Sequence, residues 1–487
     1  MSRKTFFLTS IGSIALYAVP MAVRFLANAA VIPVYTRLLT PADYGVLELL
    51  DLTSFVIAAL IGSNFGAAVF YFYADAPDAA ARGRAISTAY LGSFVFAAVG
   101  VAAGVLVAGP LSAMVFASSF YRPHLVLVLN TLAFSFPAEV GLCVLRALDR
   151  PRAYMFLSVS RILFGVALTL VLLIGFDAGL MSLLWSALAV TIATAAASGA
   201  ICLPYLRHGL SPLLFLQQLR YSWPLSIGAL ATLILSFGDR YVLRSHVTLA
   251  EIGLYGLACK FGMMVSLVSL AFNHYWRPKM FSVVAQPGGQ ALYARVFTYY
   301  VLLLTAISVA LTMLLPLIRL AVGPGFSGAL VFIPWLALLY LVRGVSDFFR
   351  NAFYLEKATA REAQLSWLGA LVCLSGYFLL IPPLKLWGAV AATAISVLFL
   401  LGAAYWLAQR LRSFAFELRR ALLAAGLGLG LILLRLLLEP ETLVAQLGLG
   451  CALAVVFPAA LWWGGWLEPE EKQPLRESLS RWCSSPK

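Results

Sequence analysis

In a chain of 487 residues, 62% are hydrophobic and only 11% carry a charge, against about a quarter charged in soluble proteins. Such a composition, with a mean hydropathy of +0.94, excludes a soluble enzyme, a nucleic-acid-binding protein and a secreted disulfide module, and describes an all-α polytopic membrane protein. The net charge of +14 then belongs to loops on the cytoplasmic face, and no nucleic acid is expected as a partner.

A helix crosses a bilayer in about 20 apolar residues. On that measure the chain holds fourteen transmembrane helices, at 11–36, 45–73, 85–108, 123–145, 154–175, 179–203, 222–243, 253–276, 296–318, 328–349, 365–383, 387–408, 421–438 and 445–466. The first follows Arg3 and Lys4 and contains Ala27-Asn28-Ala29, a stretch like a signal-peptide cleavage site. Arg24 interrupts its apolar run and thirteen spans follow, so it reads as an uncleaved first span. Trp276-Arg277-Pro278 reads as a cytoplasmic helix terminus. With the N-terminus in the cytoplasm, twenty-three basic residues fall on that side and five on the other, which makes both termini cytoplasmic. The external connections are short and leave little room for a soluble domain. The tail 467–487 alternates Glu468, Glu470, Glu471 and Lys472 with Leu475, Leu479 and Trp482, as a surface helix would.

Cys143, Cys202, Cys259, Cys373, Cys451 and Cys483 form no C-x-x-C pair, and His124, His208, His246 and His274 show no ligand spacing. Neither a disulfide nor a metal is expected.

The chain resembles itself at an offset near 208. Thr40-Pro-Ala-Asp-Tyr-Gly45 matches Thr248-Leu-Ala-Glu-Ile-Gly253 at 208, Leu148-Asp149-Arg150 matches Leu355-Glu356-Lys357 at 207, and Gly179 matches Gly388 at 209. Pro20 and Pro224 fall early in the first helix of each copy. Two six-helix lobes, 1–206 and 207–412, are expected, with two further helices and a cytoplasmic tail in 413–487. Six is even, so the lobes point the same way and are related by a pseudo-two-fold axis along the membrane normal. Transporters are often built from such repeats, with the substrate path between them.

Arg37-Leu-Leu-Thr-Pro-Ala-Asp-Tyr-Gly45 resembles a signature of the polysaccharide repeat-unit flippases, of the multidrug/oligosaccharidyl-lipid/polysaccharide exporter superfamily. Phe237-Gly-Asp-Arg-Tyr-Val242, followed by Ala250-Glu-Ile-Gly-Leu-Tyr255, is similar to the same family's second signature. The resemblance covers most of the chain. It implies two six-helix lobes, a central cationic cavity and alternating access in the bacterial inner membrane. The substrate it implies is an undecaprenyl-pyrophosphate-linked oligosaccharide for O-antigen, capsule or exopolysaccharide synthesis. A monomer surrounded by membrane lipid, beside a polysaccharide polymerase and a chain-length regulator, is the expected setting.

A charge at the bilayer centre costs roughly 2.5–3.5 kcal/mol on insertion scales, so charges there face a cavity or a partner. The bases inside spans are Arg24, Arg161, Arg240, Lys260, Arg343 and Arg435, and the acids are Glu48, Asp51, Glu139, Asp239 and Asp347. Arg24, with Asn28 one turn on, has no acid three or four residues away. It suits a pyrophosphate, whose oxygens match the two-pronged guanidinium, or else pairs with Glu48, Asp51 or Glu139 of another helix. Asp239 and Arg240 point about 100° apart on a helix and are not expected to pair with each other. Arg240 either contacts the anion or snorkels. Arg343, Asp347, Arg350, Asn351 and Tyr354 share one helical face, and Arg343–Asp347 suits an intrahelical salt bridge. Lys260 and Arg161 line the cavity or snorkel, and Arg435 reads as an interface anchor. Substrate contacts are thus assigned to Arg24, Asn28, Arg161, Arg240, Lys260, Arg343 and Arg350. Ion coupling or charge pairing is assigned to Asp239, Asp347, Glu139, Glu48 and Asp51. No cofactor is expected beyond a proton or sodium ion that could couple transport.

Three readings compete. A flippase for lipid-linked oligosaccharide needs a basic, polar cavity. A drug/cation antiporter of the same superfamily needs a cavity dominated by carboxylates. A membrane glycosyltransferase or polymerase needs a long extramembrane loop or a D-x-D site, and the sequence has neither. The protein is expected not to be an enzyme, and a lipid II flippase is the nearest alternative to an oligosaccharide flippase.

Overall fold

A computed structural model describes residues 3–61, 65–438, 440–464 and 466. The helix expected over 467–487 lies outside the described residues. The fold is all-helical, without a strand among the described residues. In order come α1 (Arg3–Leu38), α2 (Pro41–Ile61), α3 (Phe65–Ala74), α4 (Ala79–Phe116), α5 (Arg122–Ala147), α6 (Pro151–Gly175), α7 (Leu180–Leu206), α8 (Pro212–Phe237), α9 (Asp239–Arg244), α10 (Leu249–Val284), α11 (Gly289–Met313) and α12 (Leu315–Ala321). A 3-10 turn (Pro324–Val331) then precedes α13 (Ile333–Leu355), α14 (Thr359–Leu411), α15 (Leu418–Leu437) and α16 (Leu443–Trp463).

Among the described residues ten helices are long and apolar enough to cross a membrane, or eleven if the 3-10 turn and α13, bent by 46°, count as one span. This differs from the fourteen spans expected, for local reasons. The second expected span falls on two helices, α2 and α3, and the seventh is divided between α8 and α9. The eleventh and twelfth expected spans are the two arms of α14, which parts where the backbone leaves helical geometry at Lys385 (φ 52°, ψ −124°), just after Pro382 and Pro383. Trp276-Arg277-Pro278 does not end a helix, because α10 continues to Val284 with Pro278 inside it.

Helix starts follow local chemistry. Thr40 and Asp43 form a capping box at α2: the Asp43 carboxylate accepts from the Thr40 amide at 3.0 Å, and the Thr40 hydroxyl accepts from the Asp43 amide at 3.2 Å. Thr248 and Glu251 repeat it at α10, at 2.8 and 3.3 Å. Each box satisfies amides that a helix end would otherwise leave open.

The chain divides into two compact units, Met1–Leu254 with Ile381–Leu386, and Tyr255–Leu380 with Trp387–Lys487. In the first, α4, α5 and α7 pack together, and α1 lies along α6. Its core holds Phe65, Val69, Ile86, Tyr90, Val140 and Cys202. Small residues permit the approach, as expected where lipid supplies no hydrophobic drive between helices. The Tyr90 hydroxyl donates to the Ala195 carbonyl at 2.6 Å. In the second unit α15 and α16 dock on α11 around Val309, Met313, Ile432 and Phe457. The docking is fastened by Trp466 Nε1, which donates to the Arg420 carbonyl at 2.8 Å, while Arg420 donates to the Trp466 carbonyl at 2.9 Å. Large apolar side chains face outward on both units, among them Leu106, Met114, Val444 and Trp463. A soluble protein would hide them; lipid accepts them. The protein is a multi-pass membrane protein.

Candidate functional site

The first unit contains a cavity of about 720 Å³ walled by α1, α5, α6 and α7. Each helix contributes one face. α1 presents Pro20, Met21, Arg24, Asn28 and Tyr35, and α6 presents Tyr154, Ser158, Arg161, Gly165 and Thr169, both at helical spacing. α7 adds Ser186, Val190 and Thr191, and α5 adds Thr131, Glu139 and Leu142. Four of the residues singled out in the sequence, Arg24, Asn28, Glu139 and Arg161, therefore line one space.

Their electrostatics are unequal. Arg161 Nη1 donates to Glu139 Oε1 at 2.8 Å, between α6 and α5. Arg24 makes no ion pair among the described residues, so the pairing with Glu48, Asp51 or Glu139 that the sequence left open is not formed. Deeper in, the Thr169 and Ser186 hydroxyls lie 2.8 Å apart, and both reach the Gly165 carbonyl. Among Arg24, Arg161 and Glu139 the cavity carries one net positive charge. It can hold an anion with several acceptor oxygens, and its hydroxyl and aromatic walls can meet polar groups beyond that anion.

Arg240, Asp239 and Glu48 form a buried cluster in the same unit and do not line the cavity. Arg240 is 2% exposed. Its Nη1 lies 2.7 Å from Asp239 Oδ1, and its Nε lies 3.7 Å from Glu48 Oε2. The adjacent pair that helical geometry was expected to forbid does form, because the long arginine side chain folds back over the turn that begins α9. Burial also rules out snorkelling for Arg240. The guanidinium lies over the Phe237 ring, and the Tyr241 hydroxyl is 3.0 Å from that of Thr53. Asp51 is exposed on α2.

In the second unit Arg350 of α13 bonds Asp347 at 3.3 Å and also reaches Glu362 and Ser366 of α14. Asp347 therefore pairs with Arg350, which gains α14 partners as well, and no Arg343–Asp347 pair forms among the described residues. Arg277 donates to Asn351 at 3.2 Å, and Asn351 to Asn273 at 3.3 Å. Lys260 and Arg343 are half-buried on α10 and α13. Arg435 is 5% exposed and donates to the Leu438 carbonyl at 3.5 Å, so it is buried and does not anchor at an interface. No group of three or more metal-ligating side chains occurs among the described residues.

Tyr35, Tyr154, Ser158 and Thr131 were missed in the sequence. The i, i+4, i+7 spacing of Tyr154, Ser158 and Arg161 carried the signal for two of them; the other two have none that separates them from ordinary apolar-span hydroxyls.

The described residues form an all-helical membrane fold with a cationic, partly hydroxyl-lined cavity. Solved structures agree on the fold. The chain superposes on a lipid II flippase MurJ in an inward closed conformation with a TM-score of 0.69 at 12% identity, covering 92% of this chain and 99% of that one. It also superposes on an inward-facing multidrug resistance MATE family transporter of the MOP superfamily, with a TM-score of 0.63 at 15% identity, covering 82% and 98%. An outward-facing MATE transporter gives 0.53 at 14% identity, covering 82% and 94%. No curated protein matches at the sequence level. Residues 12–283 match the polysaccharide biosynthesis protein family, and the chain belongs to it.

Proposed function

We propose that the protein flips a polyprenyl-pyrophosphate-linked oligosaccharide repeat unit from the cytoplasmic to the periplasmic leaflet of the bacterial inner membrane, for O-antigen, capsule or exopolysaccharide synthesis. The observation that carries this reading is Arg24: a guanidinium without an ion pair among the described residues, in a wide cavity, beside a second arginine. A membrane protein keeps such a charge at a cost, and a diphosphate offsets it with charge-assisted, two-pronged bonds. Arg24 grips the anion, Asn28 and Arg161 add donors, and Tyr35 and Tyr154 offer ring faces to sugar. The polyprenyl tail stays in lipid. A drug/cation antiporter fits less well, since the cavity has one carboxylate and an arginine already holds it.

In this reading both termini are cytoplasmic, the transporter acts as a monomer, and it hands its cargo to a polysaccharide polymerase and chain-length regulator. A proton or sodium ion would couple through Asp239, Asp347 or Glu139. The test is complementation of strains lacking either an oligosaccharide flippase or a lipid II flippase. Rescue of the first alone supports the proposal, rescue of the second alone assigns lipid II, and rescue of neither overturns both.

A further inference from the structure

Within the cavity the two arginines are treated differently: Arg24 has no ion pair among the described residues, whereas Arg161 is held by Glu139 at 2.8 Å. We infer that Glu139 is a resident counter-anion, occupying Arg161 while the cavity is empty and displaced from it by the phosphate of an arriving ligand. The inference rests on the flippase reading and adds to it a residue that sets affinity and release.

Three observations support displacement. The pair is open to the cavity, with Glu139 56% and Arg161 28% exposed; an ion pair so wetted is worth about 0–1 kcal/mol, so a better anion can replace it. The cation two turns along its own helix is engaged elsewhere: Arg146 donates to Cys143 Sγ at 3.1 Å and lies over the Phe70 and Tyr154 rings. Glu139 also stands two residues after Pro137, which lies inside α5. A proline lacks the N–H that would bond the carbonyl four residues back, and the helix can bend there. The carboxylate thus sits next to a locally weakened stretch and has space to swing away.

Charge matching points the same way. Two arginines balance the two ionised phosphoryl groups of a pyrophosphate diester. With Glu139 still on Arg161 only one is available, and the carboxylate repels the ligand. The arrangement holds off weak anions and keeps the bound state from becoming too tight to release its cargo.

The experiment measures binding of a short-chain polyprenyl pyrophosphate, farnesyl pyrophosphate, to the full-length protein in nanodiscs, with melting temperature recorded alongside. Glu139→Gln keeps the shape and should bind the probe about two- to five-fold more tightly, the range set by an exposed pair. Glu139→Gln combined with Arg161→Gln should show no such gain, because the gain acts through Arg161. In cells Glu139→Gln should slow transport despite the tighter binding. Unchanged or weaker binding by a normally melting Glu139→Gln, with Arg24→Ala still abolishing binding, overturns this inference and leaves the flippase reading standing. No probe binding by the unaltered protein overturns both.

Discussion

Gly45 of α2 and Gly253 of α10 cross in direct backbone contact: a Cβ on Gly45 would overlap the Leu249 carbonyl oxygen and come within 3.2 Å of the Gly253 amide nitrogen, and a Cβ on Gly253 would overlap the Pro41 carbonyl oxygen. The obstacle is backbone, so no side-chain rotation can relieve it. Gly45→Ala or Gly253→Ala should destabilise the protein by about 1–3 kcal/mol, the usual range for overpacking. Melting in detergent and the level in membranes check this. Gly426→Ala and Gly448→Ala, where a Cβ meets open space, should be neutral or slightly stabilising. Equal behaviour of the two sets would show that the crossing tolerates a methyl group.

The repeat that brings these glycines together was legible in the sequence, since they lie 208 residues apart in matching hexapeptides. The structure sharpens the register elsewhere. Asp149 and Lys357 share a positive φ, 51° and 55°, which places the match at 208 instead of the 207 that side-chain identity suggested. The unusual backbone at Gly179 (φ 52°, ψ −134°) recurs at Lys385 (φ 52°, ψ −124°), not at Gly388. Side-chain matching missed this because a lysine adopts a conformation that favours glycine. Helix type was legible from apolar runs. Span counting was legible in part: the boundary expected between 383 and 387 falls where α14 parts at Lys385, whereas the second and seventh expected spans each fall on two helices although their apolar runs give no sign of it. Among the charges, sequence singled out Arg24, Arg161 and Glu139 but not their common cavity, which depends on how four helices pack.

Arg240 is the guanidinium shared by Asp239 and Glu48, and all three are at most 7% exposed. Arg240→Ala should cost about 3–5 kcal/mol, because breaking a buried pair leaves charge in a medium that cannot solvate it. The protein should lose membrane abundance before any transport defect can be isolated. Normal melting of this variant would show that the cluster is dispensable for stability.

Arg350 joins α13 to α14 through Glu362 and Ser366 while holding Asp347 on its own helix. These contacts use the fork of the guanidinium, which an ammonium cannot reproduce. Arg350→Lys should therefore be destabilised by about 1–3 kcal/mol, as expected when buried charge-assisted bonds are lost. Proteolysis of the purified protein should become faster around 357–362. Unchanged proteolysis and melting would show that charge alone suffices at this position.

Arg24 should behave in the opposite way to Arg240. It lines the cavity and forms no ion pair among the described residues, so its removal breaks no such pair, and Arg24→Ala should insert and accumulate normally. If it grips the diphosphate, transport should fall by at least about ten-fold, since a charge-assisted bond is worth roughly 1.5–3 kcal/mol. Arg24→Lys keeps the charge and loses the two-pronged geometry, so it should fall between Arg24→Ala and the unaltered protein. The measurement is complementation of a flippase-null strain, read beside the membrane level of each variant. Full complementation by Arg24→Ala would place the phosphate elsewhere, with Arg161 of the same cavity the next candidate. Loss of Arg24→Ala from the membrane would instead make Arg24 a structural residue. Intermediate transport by Arg24→Lys at normal abundance would identify the guanidinium fork, and not charge alone, as what the substrate meets.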